Sequence, residues 1–193
     1  MNTIMQTYCG SPVDILNPRP RDFRILDIAM ALSKVARFTG HTQHHASVAQ
    51  HSILVSHLLE GTGLEMEGLM HDAAEAYTGD ISTPMKRAIT EMVYRLTGEM
   101  NVDPVKAITH EIDIALAKQF GLIYPRPAAV KAADLEAMTL ERRQMMMPAS
   151  GVRWTTDVRA RVLALSWMDP DAAATAFVSR YNALLYRRPE AVS

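Results

Sequence analysis

The stretch from Gly68 to Asp80 carries the strongest chemical signal of the sequence. It reads GLMHDAAEAYTGD and places His71, Asp72 and Glu75 within about one helical turn, with His71 and Glu75 on one face. Ionisable groups on a helix of small apolar residues cost on the order of several kcal/mol unless they are paired or bind a cation. A divalent metal removes that penalty. Imidazole and carboxylate ligands suit zinc, manganese, cobalt or iron, whereas an all-oxygen ligand set would indicate magnesium or calcium.

Two adjacent ligands do not complete a metal site, so other ligands must come from elsewhere in the chain. His51 lies within a segment of apolar helical periodicity, and Asp134 lies in the alanine-rich run VKAADLEAM. Each is a weak candidate alone, because a lone helical histidine is more often a hydrogen-bonded core residue and a lone helical aspartate an exposed charge. Cys9 is the only cysteine, which excludes an intrachain disulfide and a cysteine-based zinc cluster.

The order His51, then His71-Asp72, then Asp134 resembles the H…HD…D signature of the HD superfamily of metal-dependent phosphohydrolases. Within that superfamily, the run HDAAEAYTGDISTPMK resembles the branch of bacterial 5′-deoxynucleotidases and phage dATP triphosphohydrolases. The matched motifs span roughly residues 37 to 134, about half of the chain. A bare HD dipeptide is uninformative, but HDxxExxxGDxxTPxK with an upstream histidine and a downstream aspartate is highly specific.

The resemblance implies a site for a divalent transition metal (cobalt, manganese, zinc or iron), with magnesium as a candidate second ion. Its four ligands would be His51, His71, Asp72 and Asp134. Glu75 would position or deprotonate the attacking water, the alternative being a surface helix charge. Asp80 would act as a general acid or contact the ribose, the alternative being a cap of the next helix.

The resemblance also implies residues that bind the substrate. Lys86 combines a cationic side chain with the free backbone donors of a helix start, which suits phosphate. Arg37-Phe38 stands where the deoxynucleotidases carry an Arg-Trp pair, so Arg37 would bind phosphate and Phe38 would pack on base or sugar. The alternative for Arg37 is an exposed cation at a helix end. A cluster of loop histidines is either a second metal site or a phosphate-binding rim: His41, His44 and His45. We favour the rim, with His41 as a substrate contact.

The elements that must position these residues are helices. Apolar periodicity predicts an all-α, compact single-domain bundle of about seven helices over residues 1–193. Residues 1–21 contain three prolines and a glycine, which predicts an irregular or extended lead-in. No sustained alternation with hairpin turns is present. The predicted helices span about 22–40, 47–61, 64–77, a short segment from 83, 103–121, 128–147 and 171–186, with N-caps at Asp22, Ser47, Thr83 and Asp103.

The composition excludes several classes of function. It is 48% hydrophobic and 21% charged, as in folded globular proteins. Twenty Lys and Arg against 21 Asp and Glu create no basic field for duplex nucleic acid, so a nucleic-acid component would be small. No apolar run approaches the roughly 18 residues of a membrane span, and the N-terminus lacks a targeting pattern, which favours a cytoplasmic location. Methionine-rich later helices, together with the resemblance, predict a homo-oligomer.

The expected activity is hydrolysis of a small-molecule (deoxy)nucleotide by metal-activated water. Attack on a 5′-monophosphate yields nucleoside and phosphate, whereas attack on the α-phosphate of a deoxynucleoside triphosphate yields nucleoside and triphosphate. Lys86, Arg87 and Arg37 supply up to three cations, which favours a triphosphate. Adenine is implied only by the resemblance to the phage enzymes. A 5′-deoxynucleotidase is the alternative, and a cyclic-nucleotide or signalling-nucleotide phosphodiesterase is a further variant.

Two alternatives belong to other classes of protein. The chain would be a non-catalytic HD sensor if it bound a nucleotide and regulated a partner, but the presence of Glu75 argues against this. It would be a structural helical module if the metal only held the fold together, but this leaves Lys86 and Asp80 without a role.

Overall fold

Helices make up most of the described chain, which comprises residues 3–100, 102–148, 154 and 156–187 of a computed structural model. The prediction of an all-α bundle is confirmed. Among the described residues, no helix combines the length and apolarity that a bilayer crossing requires. The α-helices are α1 (Ile25–Leu32), α2 (Val48–Leu58), α3 (Glu65–Met70), α4 (Glu75–Thr78), α5 (Thr83–Thr97), α6 (Pro104–Phe120), α7 (Ala128–Met145) and α8 (Pro170–Arg187).

The N-terminal lead-in contains a short antiparallel hairpin of β1 (Ile4–Gln6) and β2 (Pro12–Asp14). Gly10 has a φ of 79° in the connecting turn, a conformation that suits glycine. Val13 on β2 is fully buried in the core. The sequence did not predict this hairpin, because strands of three residues are too short to show alternation.

The first helix differs from its prediction. Asp22 is not its N-cap: it ends a 3-10 turn and pairs with Arg19 at 2.9 Å, while α1 begins three residues later. The helix ends at Leu32 rather than near residue 40, because Ala36 leaves it to form an isolated antiparallel bridge with Ser47. That bridge brings the segment carrying Arg37 against the start of α2.

Two predicted helix starts are confirmed by their caps. The side chain of Ser47 accepts a hydrogen bond from the backbone N–H of Gln50, and that of Asp103 accepts one from Lys106 at 2.9 Å. The fourth predicted helix begins one residue earlier than expected. Ser82 is its N-cap, and α5 continues for 15 residues to Thr97 rather than forming a short segment.

The core forms around α2, which packs against α1, α3, α7 and α8. The contact with α3 depends on Gly68, because a Cβ at that position would stand 2.7 Å from Leu59 Cδ1 and 3.2 Å from Ser56 Cα. This close approach places the end of α3 directly beside α2. The largest fully buried apolar side chains include Phe23, Ile28, Leu32, Leu69, Ile112, Leu116, Met145 and Phe177.

The segment predicted as one helix over 64–77 is divided into α3 and α4. Residues 71–74 keep helical backbone angles at both ends but bond three residues back, with Ala73 N–H donating to Met70 O and Glu75 N–H to Asp72 O. In such tight turns side chains three residues apart are eclipsed, so Asp72 and Glu75 project in the same direction. The break between α3 and α4 therefore falls at His71 and Asp72, two of the predicted metal ligands.

Candidate metal centre

Two imidazoles meet in the core between α2 and the end of α3. His51 is fully buried, His71 is 5% exposed, and their ring centroids are 5.2 Å apart. Each Nδ1 is hydrogen-bonded, that of His51 to Glu141 and that of His71 to Gly68 O. Each Nε2 is buried and makes no hydrogen bond of good geometry to the described residues, although a carboxylate oxygen lies within ion-pair distance of each. A buried nitrogen without a well-formed hydrogen bond costs about 1–3 kcal/mol, so both nitrogens are suited to a ligand.

Two carboxylates face the same nitrogens. Asp72 Oδ2 lies 3.0 Å from His71 Nε2 and 3.6 Å from His51 Nε2. Asp134 Oδ1, on α7, lies 3.2 Å from His51 Nε2 and 3.9 Å from His71 Nε2. Ligand atoms of His51, His71 and Asp72 lie within 4.8 Å of one another, and Asp134 lies beside both imidazoles, so the four predicted ligands are neighbours. The imidazoles are buried while the carboxylate side chains are about one-fifth exposed, so the cluster is open to solvent on the carboxylate side.

The charge balance of this cluster also fits a cation. Burial disfavours a charged His51, but Glu141 and Asp134 outweigh it and raise the pKa of His51 to about 10. Burial raises the pKa of Asp72 and of Asp134. The neighbouring histidines outweigh burial and hold both pKa values well below the usual range. The carboxylates thus stabilise a positive charge at the point where the Nε2 atoms meet. A divalent ion would supply that charge in place of the imidazole proton.

Glu75 is the first residue of α4, and its Oε2 is buried without a hydrogen-bond partner in the described part of the chain. Burial raises the pKa of Glu75 to about 9, with Asp72 and Asp80 adding to the effect and Arg37 and Lys86 opposing it. A cation bound beside it would favour the ionised carboxylate. The alternative of a surface helix charge does not describe this residue.

Asp80 follows Gly79, whose φ of 75° turns the chain out of α4. Asp80 does not cap α5, since Ser82 is the N-cap of that helix. Its Oδ2 lies 3.6 Å from Arg37 Nη1. Burial raises the pKa of Asp80, and the charge of Arg37 opposes that rise. The carboxyl of Asp80 therefore lies next to the cluster.

Comparison with known proteins places the chain among relatives from two bacteria. It is 38% identical over 143 residues to the "Uncharacterized protein YfdR" of Escherichia coli (strain K12), covering 74% of this chain and 72% of the relative. It is 34% identical over 193 residues to the "Uncharacterized protein RCAP_rcc00048" of Rhodobacter capsulatus, covering 91% and 92%. The chain belongs to the family of these two proteins. Neither name states an activity, and no family model matches the sequence.

In this YfdR-family protein, Arg37 is a buried residue and not the exposed helix-end cation that was one alternative. It is 8% exposed, and its Nη2 and Nε donate to Glu141 Oε2 at 3.0 and 3.3 Å. Phe38 adopts a φ of 53°, and its ring lies edge-on to Trp154 and 5.2 Å from the Arg37 guanidinium. Arg37 therefore contacts the cluster through Glu141, and two of its donor nitrogens already bind that carboxylate.

Glu141 is the residue that the sequence interpretation missed. It lies on α7, seven residues after Asp134 and on the same face, and it is 2% exposed. Two helical turns separate the two carboxylates, so a charged residue recurring on the apolar face of α7 was the available signal. Glu141 contacts both Arg37 and His51, and so connects a buried arginine to a buried histidine.

Lys86 lies on the first turns of α5 and lines an open surface groove together with Arg87 and Tyr94. Its charge lowers the pKa of both Glu75 and Asp80 against their burial, which places it near the cluster. The three loop histidines contact different partners. His41 is exposed, the ring of His44 packs against Trp167, and His45 Nε2 lies 3.2 Å from Ser33 O.

Proposed function

We propose that this YfdR-family protein is an HD-superfamily, metal-dependent phosphohydrolase that acts on nucleotides. The observation that carries the proposal is the pair of buried Nε2 atoms of His51 and His71, which make no hydrogen bond of good geometry and are faced by the carboxylates of Asp72 and Asp134. Four residues from three separate parts of the chain converge there in the order of the H…HD…D signature.

His51, His71, Asp72 and Asp134 would hold a divalent transition metal ion. When bound, the ion supplies Lewis acidity, which lowers the pKa of water from about 15.7 toward about 7 and draws charge from phosphoryl oxygens. Glu75 accepts the proton of the attacking water, since its Oε2 carries a lone pair that no described group occupies.

The remaining residues act on the leaving group and the phosphates. Water attacks phosphorus, the P–O5′ bond breaks, and the O5′ oxygen takes a proton from Asp80, whose burial favours the protonated form. Lys86 neutralises charge on the phosphoryl oxygens that lie away from the cluster. Arg37 holds Asp80 toward the reacting atoms rather than binding phosphate itself.

The proposed substrate is a deoxynucleoside triphosphate, with dATP as the first candidate. The two neighbouring cations Lys86 and Arg87 support this, because a triphosphate brings about four negative charges and needs donors along its length. The products would be the deoxynucleoside and triphosphate. A 5′-deoxynucleotidase is the second candidate, and the burial of Arg37 favours it, since one of the three expected cations is already paired.

The test is a screen of metals against substrates, with nucleoside, orthophosphate and triphosphate resolved by chromatography. Purified protein is loaded with cobalt, manganese, zinc, iron or magnesium and offered dATP or dAMP. Deoxyadenosine and triphosphate from dATP support the proposal. Orthophosphate from dAMP with dATP inert identifies the second candidate, and nucleotide binding without turnover of either compound identifies a sensor.

A further inference from the structure

The His51 ring is held by a side chain, and the His71 ring is held by the backbone. Both oxygens of Glu141 lie 3.0 Å from His51 Nδ1, whereas His71 Nδ1 lies 2.8 Å from Gly68 O. An ionised carboxylate and a carbonyl only accept hydrogen bonds, so both Nδ1 atoms must carry the proton. Each ring then directs its Nε2 toward Asp72 and Asp134.

The position of that proton decides whether His51 can bind a metal. A neutral imidazole has one N–H and one lone pair, and the group bonded to one nitrogen determines which nitrogen has the lone pair. With Nδ1 donating to Glu141, Nε2 keeps the lone pair that a ligand requires. The opposite tautomer would direct an N–H at the metal and leave Glu141 facing a second acceptor.

Glu141 can accept the His51 Nδ1 proton in this way only if its carboxylate is fixed in orientation and its charge is compensated. Its carboxylate is 2% exposed, and an unpaired buried carboxylate is strongly disfavoured. Arg37 Nη2 and Nε both donate to Oε2, so the guanidinium compensates the charge and sets the orientation of the carboxylate. The described contacts of Arg37 and Glu141 thus form a buried chain that ends at His51.

We propose that Glu141 is a positioning residue, which holds His51 in the tautomer that binds metal through Nε2, and that Arg37 fixes the orientation of Glu141. The inference rests on the metal centre of the proposed function. The partner of His51 is a side chain and can be changed by substitution, whereas the backbone carbonyl that holds His71 cannot. Partners of this kind typically change metal affinity by about 10–100-fold when they are lost.

The first measurement is the zinc affinity of the full chain by competition with a chromophoric chelator. The E141Q protein should bind zinc about 10–100-fold more weakly than wild type, because the amide loses the charge and can offer an N–H to Nδ1. E136Q is the matched control: Glu136 lies on the same helix and pairs with Arg161, away from His51. The control should bind zinc within about twofold of wild type.

The outcomes separate this inference from the proposed function. If wild type binds zinc and E141Q binds it equally well, the positioning role is wrong and the metal centre stands. If wild type binds no transition metal, both are wrong. Equal weakening in E136Q and E141Q also overturns the role, since it would reflect a general effect of altering α7.

A second measurement needs no substitution and holds even if E141Q fails to fold. Long-range ¹H–¹⁵N spectra of the zinc-loaded wild type, with the ring signals of His51 assigned, report which ring nitrogen carries the proton. The expected result is a protonated Nδ1 and a zinc-bound Nε2. Ligation through Nδ1 would overturn the inference directly.

Discussion

Two clusters of charge at opposite ends of α2 differ in how completely they are paired. Just beyond the C-terminal end, Glu60 accepts hydrogen bonds from Arg180 and Arg187, both at 2.6 Å. Arg180 also donates to Ser56 Oγ at 2.9 Å. The arginines lower the pKa of Glu60 to about 2, as in an ordinary surface ion pair. Each charged group of this cluster therefore has a hydrogen-bonded partner of opposite charge.

At the other end of α2, the cluster around His51 is buried, yet its pairing is incomplete. The outer nitrogens of two imidazoles and one oxygen of Glu75 have no hydrogen-bond partner in the described residues. Both clusters combine carboxylates with cationic groups, so the density of charge does not distinguish them. The difference lies in unused hydrogen-bonding and metal-binding capacity, which only the His51 cluster retains for a ligand.

The largest expected effect is loss of the metal. Asp72→Ala should reduce the transition metal content from about one ion per chain to nearly none, because it removes the carboxylate closest to His71 Nε2. Elemental analysis of the purified proteins measures this. Glu60→Gln is the matched control from the paired cluster and should retain the metal. If the Asp72→Ala protein kept its full metal content, the proposed difference between the two clusters would be wrong.

The next largest effect concerns hydrolysis. Glu75→Gln should retain metal and nucleotide binding but lose turnover by at least ~100-fold, the usual scale for a general base. Steady-state kinetics on the screened substrate, with metal content measured on the same sample, tests this. Near-normal turnover would make Glu75 a structural residue, and loss of metal would make it a ligand. Glu60→Gln, which alters a carboxylate of the paired cluster, should leave the rate unchanged.

A smaller effect is expected at Lys86. Lys86→Ala should lower kcat/KM for dATP by about 10–100-fold, the value of a charge-assisted hydrogen bond, and lower it for dAMP far less. The reason is that the lysine would contact the outer phosphates. Arg95→Ala removes a cation from the same helix, one that pairs with Glu91, and should affect neither substrate. Equal losses for both nucleotides would place Lys86 at the reacting phosphate instead.

The smallest effect is on stability. Chelation should lower the Tm of wild type by about 5–10 °C, because saturation at 100 times Kd contributes about 2.7 kcal/mol to a chain of this size. Glu60→Gln should lower the Tm less than chelation does, since Glu60 is exposed, and should leave the chelation shift intact. Scanning calorimetry with and without EDTA compares the two. An unchanged wild-type Tm on chelation would contradict a metal that supports the fold.

Local features were predicted well from the sequence. The caps at Ser47 and Asp103 lie where polar residues precede apolar periodicity, and Gly121 ends α6 in the left-handed conformation. Features that depend on short strands or competing backbone bonds were predicted poorly. The hairpin, the early end of α1 and the tight turn between α3 and α4 all belong to this group.

The sequence by itself determined which residue types are available for metal binding and in what order, because ligand chemistry and helical periodicity are properties of single residues and short segments. The tertiary structure alone decided which other residues pair with the predicted ligands. Arg37 and Glu141 are 104 residues apart, and their pairing depends on how α7 packs against α2. The same packing makes Arg37 a buried partner of Glu141, because a buried carboxylate requires a cation beside it.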